Sequence, residues 1–148
     1  MKEIIGNIWD YAGKNTIVCV LTNGTVTKNG LNPMGGGIAA EALERNPGLD
    51  YICGNAIKYD NLCLGIDKKS KSYLFRFETK KQVWLASDIT TISDSLNKLI
   101  ELALHFPNRT ILLPRPGCGY GGLDWNNDVK PLLEKTLKNI NNIIIFSK

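Results

Sequence analysis

Apolar residues along this chain follow two rhythms. Short, almost unbroken apolar runs recur at residues 2–8 ("KEIIGNI"), 16–22 ("TIVCVLT"), 61–66 ("NLCLGI"), 72–77 ("SYLFRF"), 110–114 ("TILLP") and 142–146 ("NIIIF"). Their length and β-branched content predict strands, and the runs that lack polar alternation predict strands buried on both faces. The turn "DKKSK" at 67–71 joins two of these runs into a strand pair. Elsewhere the spacing lengthens to three and four residues. Ile89, Ile92, Leu96, Leu99, Ile100 and Ala103 predict a long helix over residues 87–106 with Ser87 as its N-cap. From Ile38 the good helix formers Ala39, Ala40, Ala42 and Leu43 predict a helix that Pro47 and Gly48 end. Val129, Leu132, Leu133, Thr136 and Leu137 predict a further helix, in which Pro131 is tolerable only near the first turn. The resulting order β-β-α-α-β-β-α-β-α-β predicts helices flanking a central mixed sheet.

Composition narrows the class. A chain of 148 residues, 43% hydrophobic and 22% charged, is sized and balanced for one soluble domain over residues 1–148. No apolar run approaches the roughly 20 residues of a membrane span, and the N-terminus carries no signal-peptide pattern, so a cytoplasmic protein without membrane partners is expected. The four cysteines (Cys19, Cys53, Cys63 and Cys118) are scattered, and His105 is the sole histidine. That inventory assembles no zinc site and predicts mostly small buried thiols rather than disulfides. No metal and no cofactor is expected. The formal net charge of +4 suits an anionic ligand but falls short of the footprint of a dedicated nucleic-acid binder.

Two glycine-rich stretches change the picture. "PRPGCGYGGLDW" at 114–125 contains Gly117, Gly119 and Gly122 at the G-x-G-x-x-G spacing of a dinucleotide fingerprint. That fingerprint belongs in a first strand-to-helix turn with further βαβ units behind it, and only about 26 residues follow Gly122. A Walker A motif is absent. What remains is the physics of an anion site. Glycines let successive N–H groups turn toward one charge at the mouth of a helix. "NPMGGGIA" at 32–39 has the same character after another buried strand. Two such loops predict a diphosphate bridging them at the carboxyl ends of the strands.

In that order "GNI", "TIVCVLTNG", "MGGGIA" and "PRPGCGYGGLDWNNDV" resemble the macro domain, an ADP-ribose-binding module, over essentially the whole chain. The resemblance implies a three-layer α/β/α fold with a mixed, mostly parallel sheet of about six strands. It is strongest to the branch holding the terminal ADP-ribose protein glycohydrolase and the antitoxin that removes ADP-ribose from DNA. There is some similarity to the yeast-type ADP-ribose-1″-phosphate phosphatase. Carried over, it places Asn7 and Ile8 at adenine, with Asn7 where the family usually has Asp. Asn23 falls near the distal ribose. Met34, Gly35, Gly36, Gly37 and Ile38 match the loop around the diphosphate and distal ribose. Pro116, Gly117, Cys118, Gly119, Tyr120 and Gly121 match the second phosphate loop. The protein glycohydrolase has an acidic residue where Gly121 stands, and the DNA-acting antitoxin has glycine.

The "T-K" within "FETKKQ" matches the branch's lysine at the anomeric carbon of the distal ribose, which makes Lys80 the catalytic candidate. The amine could attack C1″ and form an adduct that water resolves, or act by its charge alone. Asp124 has two open roles, capping the following helix or assisting chemistry. Cys118 lacks a histidine partner, so acyl-transfer chemistry is not expected. Trp84 could stack on a base if the substrate is a nucleic acid. The implied function is hydrolysis of ADP-ribose linkages on nucleic acid, protein or a small derivative, by a monomer. The alternatives are ADP-ribose-1″-phosphate phosphatase action, a non-catalytic ADP-ribose reader, or a nucleic-acid-binding module built on the Lys-rich hairpin and Trp84.

Overall fold

The computed structural model describes residues 1–148. Six strands, β1 (Lys2–Ile5), β2 (Thr16–Asn23), β3 (Cys63–Ile66), β4 (Tyr73–Lys80), β5 (Thr110–Pro114) and β6 (Ile143–Ser147), form one sheet in the order β1-β6-β5-β2-β4-β3. Only the β3–β4 pair is antiparallel, because a short turn joins it, whereas the parallel pairs are reached through longer crossovers. The helices α1 (Gly37–Arg45) and α2 (Leu49–Lys58) cover one face over Val18, Val20, Leu74 and Leu112. On the other face α3 (Ile89–His105) and α4 (Lys130–Thr136) pack over Ile17, Cys19, Ile111 and Leu113. This is the expected three-layer α/β/α architecture with a mixed, mostly parallel sheet. No helix is long and apolar enough to cross a membrane.

Several boundaries differ from the sequence pattern for identifiable reasons. The α3 N-cap is Asp88, not Ser87. The Asp88 backbone is extended, and its carboxylate accepts from the Thr90 N–H at 3.1 Å and the Thr91 hydroxyl at 3.0 Å. Strand β4 continues past its apolar run to Lys80 because Glu78 and Lys80 still pair with the end of β2. β3 starts at Cys63 rather than residue 61, and β1 stops at Ile5, followed by a 3-10 turn, Ile8–Asp10. A π-helical turn, Trp125–Val129, precedes α4 and leaves Pro131 in the first turn of that helix, where no N–H is needed. Cys19 and Cys53 are buried, but Cys63 is exposed, because β3 is the edge strand.

The β3–β4 turn is locked to the end of α1 by a fully buried carboxylate. Arg45 binds Asp67 through two donors at 3.1 and 2.8 Å, while Asn46 at 2.9 Å and Ser70 at 2.7 Å complete the shell. Burial alone would raise the Asp67 carboxyl. The hydrogen bonds from Arg45, Ser70 and Asn46 outweigh it and hold the group well below the ordinary carboxylate range. A depressed folded value means the stabilisation is complete above the unfolded value, about pH 4, and is lost as pH falls through the folded one. Asp67→Asn should therefore cost about 3 kcal/mol at neutral pH, by stranding Arg45, and flatten the acid limb of the stability curve. Urea unfolding from pH 7 down to pH 3 measures both effects.

Candidate functional site

The parallel strands β2, β4, β5 and β6 end on one side of the sheet, and an open cleft of about 930 Å³ lies across those ends. Ligands in open α/β sheets sit in this position because the connecting loops part there and helices begin there.

The first wall is the loop from β2 into α1. Its root is an amide network. Asn23, at the end of β2, donates to the Pro33 carbonyl at 2.9 Å and accepts from the Thr25 N–H at 2.9 Å. Asn32, wholly buried, donates to the Asn23 side chain at 2.9 Å and to the Thr25 carbonyl at 2.9 Å. With the Asn32 N–H bound to the Asp50 carbonyl at 2.9 Å, the long loop is tied to both β2 and α2. It delivers Gly35, Gly36, Gly37 and Ile38 to the cleft. Gly37 has φ +56, a conformation that disfavours any side chain.

The second wall is the turn after β5. Gly117 (φ +76) and Gly122 (φ +81) set its curvature, and the Leu123 N–H closes it on the Gly117 carbonyl at 2.9 Å. The Ser87 N–H pins it to the start of α3 through the Gly121 carbonyl at 3.0 Å. A methyl group on Gly121 would overlap the Ser87 hydroxyl and the Gly117 carbonyl, so this position accepts no side chain. Tyr120, 89% exposed, lays its ring against Gly36 and bridges the two walls. The N–H groups of Gly35, Gly36, Gly119 and Tyr120 carry no hydrogen bond within the protein. Such a paired set of free donors is suited to an anion with two phosphates.

Lys80 ends β4 beside Asn23, its register partner on β2. It lines the cleft and has no ion-pair partner, whereas its neighbour Lys81 pairs with Glu78 at 3.7 Å outside the cleft. At the opposite end of the cleft, Ile8, Ile38, Trp125 and Phe146 offer an apolar seat. Its rim carries the Lys148–Glu41 pair at 2.7 Å, and the Trp9 indole donates to Glu41 at 2.9 Å. The Arg115 guanidinium lies 4.5 Å from the Trp125 ring, with a buried Nε that has no partner.

Of the residues the sequence analysis placed in a site, the fold gathers Ile8, Asn23, Gly35, Gly36, Gly37, Ile38, Lys80, Gly117, Cys118, Gly119, Tyr120 and Gly121 around this cleft. Asn7, Met34 and Pro116 do not line it. Asn7 is exposed and caps the 3-10 turn, accepting from the Trp9 N–H at 3.1 Å. Met34 and Pro116 are buried behind the two loops. Residues not placed in a site by the sequence also line it: Thr22, Thr79, Ser87, Glu41 and Arg115. Three of these sit beside strand ends, next to Asn23, Lys80 and Pro114, and that adjacency is the signal that could have found them.

Other chemistry is closed off. Burial pushes the Cys118 thiol up to about 11, so it stays protonated at neutral pH, and its sulfur contacts the Pro116 carbonyl at 3.4 Å. His105 stands at the far end of α3, outside the cleft. Asp124 lines the cleft, with its carboxylate engaged as the cap, accepting from the Asn127 N–H at 2.7 Å. No cluster of three or more His, Cys, Asp or Glu side chains is placed to hold a metal ion. Trp84 is 73% exposed just after the end of β4, whereas the Lys-rich turn precedes the start of that strand. At strand rise this separates the turn lysines from Trp84 by about 25 Å, and only Lys80 and Lys81 of the hairpin stand at its end of the strand.

This arrangement of sheet, helices and end-on cleft is the macrodomain fold. The macrodomain of Thermus aquaticus DarG matches with a TM-score of 0.76 over 98% of this chain and 95% of its own, at 20% identity. The macrodomain of Mycobacterium tuberculosis DarG gives 0.74 over 98% of both chains at 22% identity. A Thermosipho africanus DarTG in complex with ADP-ribose gives 0.75 over 99% of this chain, which spans 42% of that longer protein, at 21% identity. At these identities the likeness is one of fold. No protein-family model and no curated protein sequence matches the chain.

Proposed function

We propose that residues 1–148 act as one macro domain that binds ADP-ribose and hydrolyses the bond joining its distal ribose to another group. The observation that carries this reading is the convergence, on one cleft, of two glycine loops with free N–H donors and a lysine that has no carboxylate partner. The diphosphate lies between the loops, the adenine toward Ile8 and Phe146, and the distal ribose toward Lys80 and Asn23. ADP-ribose bound to the Thermosipho africanus DarTG supports the choice of ligand.

In this reading Lys80 in its neutral form attacks C1″. The C1″–N bond forms as the bond to the linked group breaks, the departing group carries off the electron pair and takes up a proton, and the ring opens to an imine. Water adds to the imine carbon, C1″–N cleaves, and free ADP-ribose and the amine are restored. The linked group is a nucleic acid, a protein or a small molecule, and the protein works as a monomer without a cofactor.

Calorimetry with free ADP-ribose, followed by incubation with ADP-ribosylated DNA, ADP-ribosylated protein and ADP-ribose-1″-phosphate, tests it. Binding together with release of free ADP-ribose from one of the first two substrates is expected. Binding with no turnover would make the protein a reader, and phosphate release alone would make it a phosphatase.

A further inference from the structure

Ser87 lines the cleft without capping a helix and without joining either apolar layer. It is 8% exposed and precedes Asp88, which takes the helix cap itself. Its N–H holds the second glycine loop through the Gly121 carbonyl. Its hydroxyl makes no hydrogen bond within the protein and, unlike the orphaned Thr22 oxygen, is not sealed from the cleft it lines. The residue is nine-tenths buried, yet its one polar side-chain atom keeps an opening that no protein group fills, and a ligand oxygen can complete it there.

The geometry around it is specific. The Ser87 oxygen occupies the space that a Cβ on Gly121 would take, and its own Cβ stands 3.1 Å from the position a Cβ on Gly117 would take. The missing side chains at 117 and 121 therefore leave a window in the phosphate loop, and the Ser87 hydroxyl fills that window. The same loop carries the free N–H groups of Gly119 and Tyr120, two residues that line the cleft. The donor class they share, neutral and short, is that which recognises phosphate oxygens.

We propose that Ser87 is a phosphate-contacting residue, its hydroxyl donating directly to the diphosphate of the bound ligand at the gap that the glycines leave. This rests on the ADP-ribose reading above and adds a specificity element to it. Seven positions after Lys80 on the same connecting segment, it also ties the phosphate's position to that of the lysine.

The test compares ADP-ribose with adenosine, which lacks phosphate, by calorimetry on wild type, Ser87→Ala and Ser87→Cys. Loss of a donor to a charged acceptor should weaken ADP-ribose binding roughly 10-fold in both variants and leave adenosine unchanged. Ser87→Cys keeps the volume and gives up most donor strength, so it separates a lost contact from lost packing. Melting temperatures taken on the same samples should agree to within a few degrees. Unchanged ADP-ribose affinity in Ser87→Ala, or an equal loss for adenosine, overturns the proposal. Failure of the wild type to bind ADP-ribose removes the reading beneath it as well, and is seen before any variant is compared.

Discussion

Lys80→Ala should lower the rate of ADP-ribose release by at least about 100-fold while free ADP-ribose still binds within a few-fold of wild type. The split follows from the site. The free N–H groups proposed to meet the phosphates belong to the two loops, and none of them depends on the lysine side chain. In the proposed pose Lys80 contributes at the other end of the ligand, and no carboxylate in the protein pairs with it. Lys80→Arg distinguishes its two chemical roles. Guanidinium keeps the charge and gives up the attacking amine, so it should be as inactive as alanine if an adduct forms and retain much of the rate if charge alone matters. Borohydride treatment during turnover should trap a mass increase on the wild-type chain and none on Lys80→Ala. Full release activity in Lys80→Ala would sink the catalytic assignment and leave the cleft as a binding site.

Gly121→Ala should weaken ADP-ribose binding by roughly 10-fold or more and cost about 2 kcal/mol of stability, an overpacking effect from a single methyl group. The methyl meets the Ser87 hydroxyl on one side and the Gly117 carbonyl on the other, and the second of these is backbone. The loop must shift to admit it, and its donors move with it. Gly119→Ala is the control, because nothing lies within 4 Å of a Cβ there and its φ is not in the left-handed region. It should match wild type in urea unfolding and lose little affinity. If both variants behave alike, the window occupied by Ser87 has no bearing on the loop. The same crowding accounts for the absence of an acidic residue at 121. A carboxylate side chain there requires a different residue, or a different placement, at 87.

Much of this molecule is legible in the chain because the sheet is buried on both faces. Runs such as "TIVCVLT" and "TILLP" have no solvent side to interrupt them, so the strands and their order read directly. The two glycine loops are legible because positive φ and free N–H groups leave a compositional mark. The extension of β4 to Lys80 is not, since Glu78 and Thr79 break the apolar run and the strand is continued by the pairing of Glu78 and Lys80 with β2. Asp88 and Ser87 are equally good caps by residue type, and only the loop packed against Ser87 decides between them. Lys80 and Lys81 are likewise indistinguishable by composition. Resemblance selected the first, and the fold turns one into the cleft and pairs the other with Glu78. The hydroxyls of Thr22, Thr79 and Ser87 carry no periodic signal at all, because their meaning depends on what three separate segments bring to one place.

The β2–β4 ladder slips by one residue between Thr22 and Asn23. Upstream of that step, Ile17 through Leu21 follow strict pleat alternation and serve the two apolar layers. Past it, the count restarts. In unbroken register the neighbour of Lys80 would be Gly24, and with the slip it is Asn23. One irregular step thus sets the polarity of the lysine's surroundings without disturbing a single core position. The interior of the sheet and the chemistry at its edge are consequently free to vary independently of one another.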